Sequence, residues 1–125
     1  MIGWLEENRK FSVIFLIIIA VEIFLVSSIP GKQVQGGINL STIYHIVVFF
    51  LLGFFLLISI NKDKEPKTKP LIFTVIISII YAILDEAHQF FVPLRTPSIQ
   101  DLLVDSAGIF LSTLVYLYYK RKARQ

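Results

Sequence analysis

Four long apolar runs, at residues 11–28, 42–60, 71–92 and 99–119, leave this 125-residue chain few ways to fold. Each run holds 18 to 22 residues. An α-helix rises 1.5 Å per residue, so about 20 residues cross a hydrocarbon core of about 30 Å. Inside lipid only a helix or a closed barrel satisfies every backbone group. Barrel strands are short and alternate apolar with polar residues, which these runs do not do. The expected fold is therefore all-α: one domain over residues 1–125, forming an integral membrane bundle of four transmembrane helices. Hydrophobic residues make up 55% of the chain, above the roughly 45–50% of soluble domains. The chain lacks cysteine, which excludes disulfides, thiolate metal sites and a cysteine nucleophile.

The connections carry ordinary punctuation. Pro30, Gly31, Gly36 and Gly37 break the first, residues 61–70 form a charged second loop, and Pro93 and Pro97 bracket the third. Pro70 suits the first turn of the third span, where its missing N–H is harmless. Ser98 followed by Asp101 fits a capping box opening the fourth, and Ser41 is placed to cap the second.

Charge sets the expected orientation. Ten of the twelve basic residues fall on one side of a four-span chain: Arg9, Lys10, Lys62, Lys64, Lys67, Lys69, Lys120, Arg121, Lys122 and Arg124. Only Lys32 and Arg95 fall on the other. The positive-inside rule then puts both termini in the cytoplasm of a multi-pass plasma-membrane protein. Trp4, Tyr116, Tyr118 and Tyr119 are expected in the inner aromatic belt. The net charge of +3 follows topology and is no nucleic-acid signal. Glu22 within the first run, and the absence of an A-x-A site, argue against a cleaved signal peptide.

Five of the nine acidic residues (Glu22, Asp85, Glu86, Asp101 and Asp105) and both histidines (His45 and His88) lie inside the apolar runs. A charge at bilayer depth costs several kcal/mol unless it is paired or hydrated. Measured from the cytoplasmic end of each span, Glu22 lies roughly 17 Å deep and His45, Asp85 and Asp105 roughly 21–23 Å deep. Residues far apart in sequence thus converge on one level in the outer half. Facing agrees with depth. Asp101, Asp105, Gly108 and Ser112 share one helix face, and Ser78, Ala82, Asp85 and Gln89 share another with Glu86 on its flank. Small residues below the acids favour close helix packing. The expectation is a tight bundle below an outward polar pocket, with Arg95 folding over it and pairing with Glu86, Asp101 or Asp105. Blander readings exist for single residues: Asp101 as a helix cap, His45 as an interfacial residue, and the whole set as polar glue between helices.

The stretch from Tyr81 to Gly108 resembles the VanZ-like family of small membrane proteins. The resemblance rests on Glu86, Gln89, Pro93, Arg95, Asp101, Asp105 and Gly108, on His45 followed by an apolar run to Gly53, and on the Ser-Ser-Ile-Pro ending the first span. There are departures. Ser41 and Thr42 stand where many members have aspartate and lysine, Phe49 where many have tyrosine, and Leu94 where glycine often precedes the arginine. The family is named for a protein that raises resistance to teicoplanin, a lipid-tailed glycopeptide antibiotic. The resemblance implies a membrane role of that kind.

Two functions of different classes fit these residues. The preferred one is binding or handling of a headgroup at the outer leaflet, with membrane lipids or a lipid-tailed amphiphile as partner. Glu22, His45, Asp85, Glu86, Gln89, Arg95, Asp101 and Asp105 are the expected ligand-binding residues; Arg95 suits a phosphate or carboxylate and the acids suit an amine. The alternative is a membrane-embedded enzyme for a lipid-linked substrate, with His45, Glu86, His88 and Asp105 as candidate acid–base groups. A structural membrane subunit is a third reading. No cofactor is expected. A metal held by histidine and carboxylates is a variant of that enzyme reading, but no metal site is assigned, since H-E-x-x-H is absent and Glu86 and His88 stand only two apart.

Overall fold

The computed structural model describes residues 1–31, 40–61 and 65–125. Lys32, Gly36, Gly37, Lys62 and Lys64 lie outside the described residues. Five helices follow one another: α1 (Ile2–Glu7), α2 (Arg9–Ser27), α3 (Leu40–Ile60), α4 (Thr68–Gln89) and α5 (Ile99–Lys122). The last four are each long and apolar enough to cross a membrane. Their side-chain distribution agrees. Ile17, Val21, Phe24, Ile76, Ile80, Phe110 and Leu114 face outward, while Ser12, Thr74, Ser78, Asp105 and Ser112 are almost fully buried. In water this pattern would be inverted; in lipid the apolar face is the solvated one. The chain is a multi-pass membrane protein.

Expected and observed helices agree within a few residues. Arg9 and Lys10 already belong to α2, and α1 precedes it where no helix was expected. Pro70 sits in the first turn of α4, behind Lys67. Ser98 caps α5, its Oγ accepting the Asp101 N–H at 3.3 Å. Ser41 does not cap α3: the helix already includes Leu40.

α3 is the hub. It contacts each of the other helices that span the bundle and packs most extensively on α5. Two glycines set that spacing. A Cβ on Gly53 would lie 2.5 Å from Ser112 Oγ, and one on Gly108 would lie 2.6 Å from the Ile46 carbonyl oxygen. Backbones this close maximise dispersion contacts, which must replace the hydrophobic effect between helices in lipid. Phe49, Leu52, Ile109, Ile23 and Ala82 fill the space beside this seam.

At the Lys120 end, α1 folds under the bundle and Leu5 joins Leu57, Ile58 and Tyr116 in a second apolar cluster. Tyr116 is fully buried, and its hydroxyl donates to Glu6 Oε1 at 3.1 Å. Lys120 Nζ lies 2.5 Å from the same oxygen. Tyr116 is thus a core residue and not part of an aromatic belt, whereas Trp4, Tyr118 and Tyr119 are exposed. The polar residues of α3, α4 and α5 gather at the opposite end, called here the His45 end.

Candidate functional site

Three helices each contribute one side chain to the centre of the His45 end. His45 lies in the second turn of α3, Glu86 in the last turn of α4 and Asp105 in the second turn of α5. α3 and α5 run away from this end and α4 runs toward it, so the three residues meet at one level. His45 Nδ1 lies 2.7 Å from Asp105 Oδ1. Phe49, one turn on, lies nearly parallel to the imidazole, at 7° between planes. Glu86 Oε2 accepts the Ser98 N–H at 2.8 Å. One ligating atom from each of His45, Glu86 and Asp105 falls within 4.8 Å of the others. The remaining oxygens, Glu86 Oε1 and Asp105 Oδ2, are buried and find no hydrogen-bond partner among the described residues.

Asp85 and Glu86 are neighbours in sequence and both are buried, yet they serve different faces of α4. Glu86 turns toward α5. Asp85 lines a cavity of about 270 Å³ among α2, α3, α4 and the loop before α5, together with Ser27, Ser41, Tyr44, His45, Gln89 and Arg95. Ile23, Val26, Leu40 and Phe49 supply its apolar wall. Gln89 Nε2 donates to Asp85 Oδ2 at 3.3 Å, the i, i+4 contact that the shared helix face allows. His45 therefore belongs to both assemblies: it lines the cavity and pairs with Asp105 behind it.

Arg95 does not pair as expected. Its Nε donates to the Ile29 carbonyl at 3.1 Å and its Nη2 to the Val26 carbonyl at 3.2 Å. Val26 is in the last turn of α2 and Ile29 lies two residues past its end, where the carbonyls carry the negative end of the helix dipole. The guanidinium caps α2 where pairing with Glu86, Asp101 or Asp105 was expected. The loop is held a second time, by the Gly31 N–H donating to Pro93 O at 3.2 Å. Leu94 lies between these ties with φ 59°, the left-handed region that favours glycine. The glycine often found here in the resembling family suits that conformation.

His88 lies elsewhere. Its Nε2 lies 2.9 Å from Ser28 Oγ and its ring packs on Phe24 with centroids 4.7 Å apart, on the α2–α4 seam away from His45. It is not among the side chains grouped with Glu86. Glu22 is exposed on α2 and does not line the cavity; it accepts the Tyr44 hydroxyl at 3.1 Å. Asp101 is half-buried in the first turn of α5, at the cap. Of the expected ligand-binding residues, the cavity gathers His45, Asp85, Gln89 and Arg95, while Glu86 and Asp105 sit with His45 behind its wall. Ser27, Ser41 and Tyr44 were missed as cavity residues. Tyr44 precedes His45, but nothing in the sequence marks Glu22, on another helix, as its partner.

The model of the VanZ/LLP1 family matches residues 8–120. The chain belongs to the VanZ/LLP1 family. That match takes in every residue of the cavity and of the His45–Glu86–Asp105 group, so both lie within the family's shared domain. No match was found among curated proteins or among solved structures.

Proposed function

We propose that this VanZ/LLP1 protein binds the headgroup of a membrane amphiphile in the cavity at its His45 end, and that this end faces the outer leaflet of the plasma membrane. One observation carries the reading. Asp85 and Arg95 line the same cavity, so opposite charges meet one small space walled by Ile23, Val26 and Phe49. A zwitterionic headgroup has matching parts: its amine pairs with Asp85 and its phosphate or carboxylate with Arg95. The guanidinium has five N–H donors, of which Nη2 serves α2 at Val26 and Nε the Ile29 carbonyl just past it. The apolar wall suits the first methylenes of a tail. Orientation is supported by lysine and arginine placement, ten on one side against two on the other. Lipid-tailed antibiotics of the teicoplanin type belong to the same chemical class, and resistance would follow from intercepting such a molecule at the membrane.

Native mass spectrometry of gently extracted protein tests this. A lipid should remain bound to the unaltered chain and to Leu114→Ala, and should be lost in Asp85→Asn. Equal lipid content in all three would overturn the reading.

A second reading has its own support. His45 lines the cavity with Asp105 2.7 Å behind its Nδ1, and a carboxylate so placed orients an imidazole for proton transfer. In that reading the bound lipid is chemically altered, and the alteration stops in His45→Gln.

A further inference from the structure

We propose that His45, Glu86 and Asp105 form a binding site for one divalent transition-metal cation, of the zinc(II) or manganese(II) type. The first support is the donor set. An imidazole with two carboxylates is a mixed nitrogen–oxygen set, which suits these ions better than magnesium or calcium on one side and copper(I) on the other. The second is proximity. Their ligating atoms lie within 4.8 Å of one another. Ligands about 2.0–2.2 Å from a zinc ion lie roughly 3.3–3.6 Å apart in a tetrahedron, so small side-chain rotations close the site.

The third support is independent of the clustering. Asp105 is 0% and Glu86 7% exposed, yet each keeps one carboxylate oxygen without a partner among the described residues. Buried polar atoms are almost always hydrogen-bonded, and two carboxylates at membrane depth need compensating charge. A divalent cation supplies that charge and engages both oxygens. The protein already orients the donors, as outer contacts do at metal centres: the Ser98 N–H fixes Glu86 through Oε2, and Phe49 lies along the imidazole. His45 lines the cavity, which gives the ion a route in. Three protein donors leave a coordination position for water or a ligand oxygen. Two further acids lie nearby without joining the donor cluster: Asp85 lines the cavity, and Asp101 stands in the first turn of α5, where its N–H donates to Ser98 Oγ. The main rival is a proton shared between Glu86 and Asp105.

The inference does not rest on the headgroup reading, and its test adds no amphiphile. The full chain in a phosphate-free maltoside detergent is stripped with EDTA and titrated with manganese(II) chloride and zinc(II) chloride. We expect one ion per chain, zinc binding more tightly than manganese. Loss of an outer contact at a metal site costs about 10–100-fold in affinity, so losing a donor in Glu86→Gln or Asp105→Asn should cost at least about 100-fold. His88→Gln should bind as the unaltered chain does. Pulsed electron paramagnetic resonance of the unaltered manganese complex should show a directly bound imidazole nitrogen; this reading needs no variant to fold. Absence of stoichiometric binding, absence of the nitrogen coupling, or binding that survives both substitutions would each overturn the site. In those cases the shared proton accounts for the two carboxylates, and the headgroup reading is untouched.

Discussion

Arg95 closes the last turn of α2, its Nη2 3.2 Å from the carbonyl oxygen of Val26. The contact joins residues 69 apart in sequence and ties the α4–α5 loop to a different hairpin. It gives Arg95 a structural duty besides lining the cavity. Arg95→Ala should therefore destabilise the bundle by about 1–2 kcal/mol, the scale of a charge-assisted cap. Arg95→Lys should recover only part, since an ammonium cannot match a fork that reaches two carbonyls. Reversible unfolding in mixed micelles measures both. Unchanged stability in Arg95→Ala would refute the capping role.

Leu94 gives the opposite sign. Its side chain is 76% exposed, so little packing is lost on truncation, while its φ of 59° strains any residue with a Cβ. Leu94→Gly should stabilise the protein by up to about 1 kcal/mol, the relief of the left-handed conformation less the added freedom of the unfolded chain. Leu94→Val, β-branched at the same φ, should destabilise it. The same unfolding measurement ranks the three side chains.

The α3–α5 seam makes a sharper demand. Gly108→Ala pushes a methyl against the Ile46 backbone, which cannot turn aside, and should cost about 1–3 kcal/mol. Gly53→Ala clashes with the Ser112 hydroxyl, its next neighbours Ser112 Cβ and Ile109 Cα lying at ordinary contact distance, so Ser112→Ala should rescue much of its cost. A double-substitution cycle measures that coupling. Gly3→Ala is the control, since a Cβ there meets nothing within 4 Å.

Orientation is checked by chemistry on a chain without native cysteine. Thr96→Cys in intact cells should react with an impermeant thiol reagent, and Gln125→Cys should react only after permeabilisation. The reverse pattern would place the cavity on the inner side.

The sequence announces the spans because length and hydropathy are local properties. It also announces the buried faces, since helical spacing fixes which side chains travel together: Asp105, Gly108 and Ser112 are all buried. Continuing that stripe by four-residue steps reaches Tyr116 and Lys120, both buried as well. The stripe marks them as buried, whereas their position near a membrane boundary points to the interface. The partners of Arg95 were not legible, because backbone carbonyls carry no residue identity. Nor was the separation of His88 from His45. Spacing tells which face of α4 a residue occupies, not which neighbour that face meets, and here α2 meets His88 while α5 meets Glu86.

Glu22 has a consequence for the membrane itself. It is exposed on α2, five residues before the helix ends at Ser27, with the Tyr44 hydroxyl on its carboxylate. Hydrocarbon does not solvate a carboxylate, and a bilayer answers such a group by thinning locally and drawing water and headgroups down to it. The apolar length of α2 on this flank is accordingly short, from Phe11 to Val21, about 16 Å at 1.5 Å per residue. The lipid surface should therefore dip beside α2 and α3, next to the cavity that Tyr44 lines. Under the proposed headgroup reading, a headgroup arriving from the side would start at nearly the depth of Asp85 and would not need to be lifted out of its leaflet.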